Sequence, residues 1–183
     1  RLSRAVSMNI VVMDFVEGVG LSFLVDTQNE TLRSNRLRLI IELGQAIEYF
    51  HSRNFIHRDI CPRNVLLDED HRIKLIDFGL VVPNTPEFQQ PGNRTGTMAY
   101  MAPELLKRQQ TDQRIDIFSY AMSCYEMYSR RLPWSTSDET AGMERSMEMM
   151  HQRINQPATD IREFVSDIDE DVAETIMRGL ESS

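Results

Sequence analysis

The side chains best suited to chemistry in this 183-residue sequence are oxygen donors: the carboxylates of Asp59 and Asp77 and the amide of Asn64. They stand in short patterns. His57-Arg58-Asp59 is followed by Asn64, then by Asp77-Phe78-Gly79, then by Ala102-Pro103-Glu104. A loop carboxylate can orient a hydroxyl group and accept its proton late in a transfer reaction. An amide oxygen and a second carboxylate are hard ligands, and a hard cation such as Mg²⁺ needs few of them because it keeps several waters. Each residue alone has a plainer explanation: Asp59 capping a turn, Asn64 forming one, Asp77 ending a strand. Three patterns in fixed order are far harder to reach by chance than any one of them. No zinc site competes, because His51, His57, His71 and His151 lack ligand spacing.

The surrounding elements must hold these groups together. Residues 65–67 and 73–76 are short apolar runs around the polar turn 68–72, a hairpin that brings Asn64 and Asp77 to one edge. Ser34 is a candidate cap for a helix with Leu37, Ile40, Ile41 and Ile47 at helical spacing, ending near His51-Ser52. Residues 115–128 are apolar on almost every face and read as a buried central helix. Ser137 or Asp138 starts another helix, carrying Met143, Met147 and Met150. The acidic stretch 167–171 favours the start of a last helix, which buries Val172, Ile176 and Leu180. Residues 79–96, rich in Pro, Asn, Gln and Thr, read as a long exposed loop. Residues 8–15 form an apolar, β-branched run, a strand interrupted by Glu17-Gly18. With no repeat or low-complexity tract, the expected fold is one packed body, mainly α (α+β overall).

Read together, H-R-D-x-x-x-x-N, D-F-G and A-P-E are the signature set of the protein kinases. From about Met8 onward the chain resembles the eukaryotic-type members over nearly its whole length. The resemblance implies a helical kinase C-lobe with a short β-hairpin and one remnant strand of the small N-lobe. Residues 1–19 would be the end of that strand and the hinge, and 20–183 the C-lobe, stopping before its last helix. ATP and Mg²⁺ are the implied cofactors, Asp59 the group that handles the acceptor hydroxyl, and Asn64 and Asp77 the metal ligands. Residues 8–18, MNIVVMDFVEG, are similar to the kinase hinge. By that match Met13 is the gatekeeper, the backbones of Asp14 and Val16 bind the adenine, and Leu66 packs beneath it. His57 supports Phe78 from below, Thr97 contacts the catalytic Asp, and Asp116 anchors the H-R-D backbone, a task close to that of a helix cap. Arg58 is placed to pair with a phosphate on Thr95 or, second, on Thr85; unmodified, either is a plain loop threonine. Glu104 pairs in the family with an Arg further along, and Arg178 stands too early for that.

Departures from the family pattern carry weight. Cys61 stands where serine/threonine kinases usually place a Lys that touches the γ-phosphate, which weakens transition-state stabilisation unless another cation substitutes. Arg63 is closer to the tyrosine-kinase form. Gly96-Thr97 and the Tyr100-Met101-Ala102-Pro103-Glu104 run are closer to the serine/threonine form, and because they wall the acceptor they favour Ser/Thr specificity. Phe118 and Ala121 replace the usual Trp and Gly near Asp116. No G-x-G-x-x-G loop and no V-A-I-K lysine precede the hinge. The expectation is therefore a parent with about 80 or more further N-terminal residues, the size of a small lobe. Its partners would be that lobe and a Ser/Thr-bearing protein substrate, and this segment alone would turn over little. The rival reading is a pseudokinase or scaffold using the same fold.

Composition sets broader limits. The hydrophobic fraction of 41% and charged fraction of 26% suit an ordinary globular domain. A formal charge of −8 argues against general nucleic-acid binding, which needs a clustered basic face. Cys61 and Cys124 are too few for a disulfide framework, so a reducing, cytoplasmic setting is expected. No apolar run in this segment is long enough to span a membrane, and an anchor elsewhere in the parent stays open.

Overall fold

A computed structural model of the protein describes residues 12–90, 95–134 and 142–181. In chain order the elements are β1 (Gly18–Gly20), α1 (Leu21–Asp26), α2 (Glu30–Ser52), β2 (Phe55–Ile56), β3 (Val65–Asp68), β4 (Ile73–Leu75), β5 (Val82–Pro83), α3 (Pro103–Leu106), α4 (Arg114–Ser129), α5 (Gly142–Asn155) and α6 (Glu170–Gly179). The architecture is the expected helical body with a small hairpin. β3 and β4 pair antiparallel around the polar turn, and β1 adds to the other edge of β3. Asp68 closes the turn by accepting the backbone N–H groups of Asp70 and Arg72 at 3.1 and 2.8 Å.

The leading strand differs from expectation. Residues 8–11 of the anticipated run lie outside the described residues, and residues 12–17 have no regular structure. A strand forms at β1, beginning at the Gly18 read as part of the interruption. Gly18 is needed there: a Cβ would lie 2.3 Å from the Leu67 carbonyl oxygen across the sheet.

Helix α2 also begins earlier than Ser34. Asn29 caps it, its side-chain oxygen accepting the Thr31 N–H at 2.8 Å, while Ser34 lies one turn inside and donates to Glu30. The buried stripe is Leu32, Leu39, Ile40, Leu43 and Ile47, with Leu37 and Ile41 half exposed beside it. Each fully buried Leu or Ile contributes about 1.5–3 kcal/mol. Helix α4 is central as expected, burying Ile115, Phe118, Met122 and Tyr125 between α2 and α6. The Tyr120 hydroxyl donates to the Ile40 carbonyl at 2.8 Å, locking α4 to α2.

Ser137 and Asp138 lie outside the described residues, and α5 is described from Gly142. Its methionines do not make its buried face. Met143 and Met147 are mostly exposed, and the buried residue is Arg153. Asp169 caps α6 by accepting the N–H groups of Asp171 and Val172, and α6 buries Ala173 and Ile176, with Leu180 beneath its end. Inside the expected loop 79–96, β5 pairs with β2. No helix among the described residues is long and apolar enough to cross a membrane.

Candidate active site

Asp116, fully buried in the first turn of α4, fixes the loop that carries Asp59. Its Oδ2 accepts the His57 N–H at 2.7 Å and lies 2.9 Å from His51 Nε2, and its Oδ1 accepts the Arg58 N–H at 2.8 Å. Hydrogen bonds to a buried carboxylate are worth about 1.5–3 kcal/mol each. They hold Arg58 in the left-handed region at φ 70°, a conformation costing on the order of 1 kcal/mol for a residue with a Cβ. The turn through Arg58 then aims Asp59 at the following segment.

Both Asp59 oxygens are engaged. Oδ1 accepts the Thr97 backbone N–H at 2.6 Å, and Oδ2 accepts the Asn64 side-chain N–H at 2.9 Å. The same Asn64 amide nitrogen also donates to the Asp59 carbonyl at 2.9 Å. Thr97 thus meets Asp59 through its backbone, while its hydroxyl receives a bond from Arg63 at 3.1 Å and lies 3.7 Å from Cys61 Sγ. The approach requires glycine next door. Gly96 sits at φ 115°, and a Cβ there would stand 2.5 Å from the Arg58 carbonyl oxygen.

Asn64 and Asp77 meet through the hairpin: the Ile76 N–H donates to the Asn64 carbonyl at 2.8 Å, leaving Asp77 adjacent, at φ 64°. Asp77 Oδ1 accepts the Gly79 N–H at 3.1 Å. With Asn64 Nδ2 committed to Asp59, its Oδ1 has no hydrogen-bond partner among the described residues, and neither has Asp77 Oδ2. One amide oxygen and one carboxylate oxygen, both unspent, are a donor set that fits Mg²⁺ with phosphate oxygens completing it. No cluster of three His, Cys, Asp or Glu suited to a metal occurs among the described residues.

Beneath Asp77, His57 lies edge-on to Phe78 at 5.9 Å and to Phe50 at 5.5 Å, and the two phenyl rings stack at 5.7 Å. Burial pushes the His57 imidazole below its ordinary range, with the charges of Asp116, Asp59 and Asp77 opposing in part. Neutral, the imidazole is packed against the two phenyl rings.

The remaining predicted residues divide. Arg58 Nη2 donates to the Thr95 hydroxyl, whereas Thr85 serves a local turn, its carbonyl accepting the Phe88 and Gln89 N–H groups. Glu104 is half-buried in the first turn of α3, and Arg178, exposed on α6, does not pair with it. Cys61 is fully buried, and burial pushes its thiol up, so it offers no charge at neutral pH. Met13 and Asp14 are exposed, Val16 is half-buried, and Leu66 projects from the face of β3 opposite its buried Val65 and Leu67. Residues 12–17 have no hydrogen bond to Asp59, Asn64 or Asp77 among the described residues.

The model of the protein kinase domain matches residues 3–182. The chain belongs to the protein kinase family. It is 33% identical over 135 residues to the serine/threonine-protein kinase CLA4 of Saccharomyces cerevisiae, covering 70% of this chain and 16% of that protein. Identity is 33% over 132 residues to the probable serine/threonine-protein kinase SCO3848 of Streptomyces coelicolor (70% and 20%) and 31% over 133 residues to the serine/threonine-protein kinase STY17 of Arabidopsis thaliana (73% and 23%). The chain spans less than a quarter of each of these relatives. Members of the protein kinase family use ATP and Mg²⁺.

Four contacts around this kinase site escape motif reading. His51 joins Asp116, and Phe50 completes the aromatic stack. Tyr100 donates to Glu126, whose carboxyl is pushed up by burial. Arg153 donates into the turn after Thr97. The first two sit at the end of α2, just before His57, where proximity in sequence was a usable signal. For the last two, sequence separation hides the contact.

Proposed function

We propose that this chain provides the catalytic C-lobe of an ATP- and Mg²⁺-dependent protein serine/threonine kinase. The observation that carries the reading is the Asp59 carboxylate held between the Thr97 N–H and the Asn64 amide, with Asp77 alongside. When bound, ATP supplies the γ-phosphoryl group and Mg²⁺ neutralises its developing charge. Asp59 orients the acceptor hydroxyl and takes its proton. Asn64 Oδ1 and Asp77 Oδ2 are the metal ligands. Residues 96–104 wall the acceptor, a Ser or Thr of a protein substrate. Arg63, bonded to Thr97 beside Asp59, is the cation best placed to replace the charge that Cys61 lacks. The backbones of Asp14 and Val16 bind the adenine, with Met13 and Leu66 flanking it and a small lobe closing over it. Thr95 is the favoured regulatory site, because Arg58 already reaches its hydroxyl and a phosphate there would strengthen the bond. The two thiols, buried and unpaired, suit a reducing, cytoplasmic setting.

Incubating the full-length protein with Mg²⁺, γ-labelled ATP and a generic protein substrate tests this, beside an Asp59→Asn control. Label on Ser or Thr that vanishes in the control is the expected result. Absence of label from a well-folded protein would support the second reading, a kinase-fold scaffold, which the uncharged Cys61 specifically favours.

A further inference from the structure

Arg153 is the one Arg or Lys fully buried among the described residues, at 3% exposure. Its Nη1 donates to the carbonyls of Met98 and Met101 at 3.0 and 2.8 Å, and its Nη2 to that of Ala99 at 2.6 Å. The guanidinium faces the Trp134 ring at 5.4 Å, and its Nε is buried without a hydrogen-bond partner. No ion pair with a carboxylate offsets the charge among the described residues, and burial lowers its pKa to about 10, so it stays charged at neutral pH. Burying an unpaired cation costs several kcal/mol, and an apolar residue here would favour stability more. What the cation gains is three carbonyls around one turn, those of Met98 and Ala99 within it and of Met101 that closes it, immediately after the Thr97 that binds Asp59. A single planar fork gathering three carbonyls fixes that turn's shape in a way no aliphatic side chain can. The turn is thereby held at both ends, by Asp59 through Thr97 and by α5 through Arg153.

We propose that Arg153 is a positioning residue that sets the wall on which the acceptor peptide docks, linking α5 to the segment that contacts Asp59. This rests on the reading of residues 96–104 as the acceptor wall. Met98, partly exposed in the same turn, is the apolar side chain that the clamp presents to the peptide.

The test compares Arg153→Gln and Arg153→Lys with wild type in the full-length protein. In the Gln variant the KM for an acceptor peptide rises about tenfold, the signature of lost binding. The KM for ATP, kcat and peptide-independent ATP hydrolysis stay within about twofold, and the Lys variant falls between. Should the Gln variant not fold, the Lys variant carries the comparison. Equal rises in both KM values, or no rise in either, would overturn the proposal. Hydrogen exchange separates its failure from that of the kinase reading. If wild type labels no acceptor, faster exchange confined to the Tyr100 and Met101 amides of the Lys variant still supports the clamp, and unchanged exchange refutes it.

Discussion

Between His57 and Asn64 the backbone turn and the Asp59 carboxylate are held by hydrogen bonds, whereas residues 12–17 carry no regular structure and expose Val12 and Phe15 almost completely, at 91% each. The first region is tied to α2 through Phe50 against His57, to α4 through Asp116 and to the hairpin through Ile76. The second leads into β1, which pairs with β3. The region around Asp59 is therefore shaped by contacts within the described residues, whereas residues 12–17, proposed to bind the adenine, lie largely exposed. Preorganised groups stabilise a transition state because they need no rearrangement as charge develops. Among the described residues, such preorganisation surrounds Asp59 and is not seen over residues 12–17.

The sharpest way to break this contrast is to remove Asp116. Asp116→Ala strips the acceptor from the His57 and Arg58 N–H groups and leaves His51 facing a void. The expected loss is about 3–5 kcal/mol, the scale for breaking a buried charged network. Urea unfolding monitored at Trp134 would measure it. A loss under about 1 kcal/mol would mean that the loop is held by something else.

Next in size is Arg63. The residue is exposed, so Arg63→Met should change stability by no more than about 0.5 kcal/mol. If its charge replaces the one absent at Cys61, kcat falls about 10²-fold with little change in the KM for ATP. Steady-state kinetics of the full-length protein decide this, and an unchanged kcat would return Cys61 to the centre of the scaffold reading.

These two residues also mark what a sequence can and cannot convey. The order of Asp59, Asn64 and Asp77 was readable because chemistry forces residue types at fixed spacing, Asp116 was readable only through its likeness to the kinase pattern, and periodicity placed α4 because it is apolar on almost every face. Local competition between equivalent signals was not readable. Asn29 and Ser34 can both cap a helix, and only the burial of Leu32 decides for the earlier one. Nor was the burial of α5, where Met143 and Met147 look like core and face solvent while Arg153 goes inside. Its partners are carbonyls, which every residue possesses, so no side-chain pattern announces them.

His57 sharpens the same comparison through pH. Burial holds its folded pKa below the ordinary value, so the unfolded chain binds the extra proton first as pH falls through about 6.5. The neutral imidazole's stabilising contribution is complete above that pH and is lost below it, at up to about 1.4 kcal/mol per pH unit. In His57→Gln the stability slope between about pH 6.5 and 5 should flatten accordingly. Unfolding curves across that range check it, and an identical slope would mean that the acid sensitivity resides in the carboxylates.

The smallest expected effect lies in residues 12–17, proposed to bind the adenine. Met13 is 58% exposed and its neighbours bond to nothing regular, so Met13→Ala should cost less than about 0.5 kcal/mol in this chain. The same substitution in the full-length protein should alter the KM for ATP and leave the KM for the acceptor peptide alone, opposite to Arg153→Gln. That pairing makes the contrast quantitative. If one variant moves only the nucleotide constant and the other only the peptide constant, the two sides of the cleft are independent in energy as well as in packing. Coupled shifts would mean that order on the adenine side is transmitted to the wall at residues 96–104, and the separation drawn from the contacts would fail.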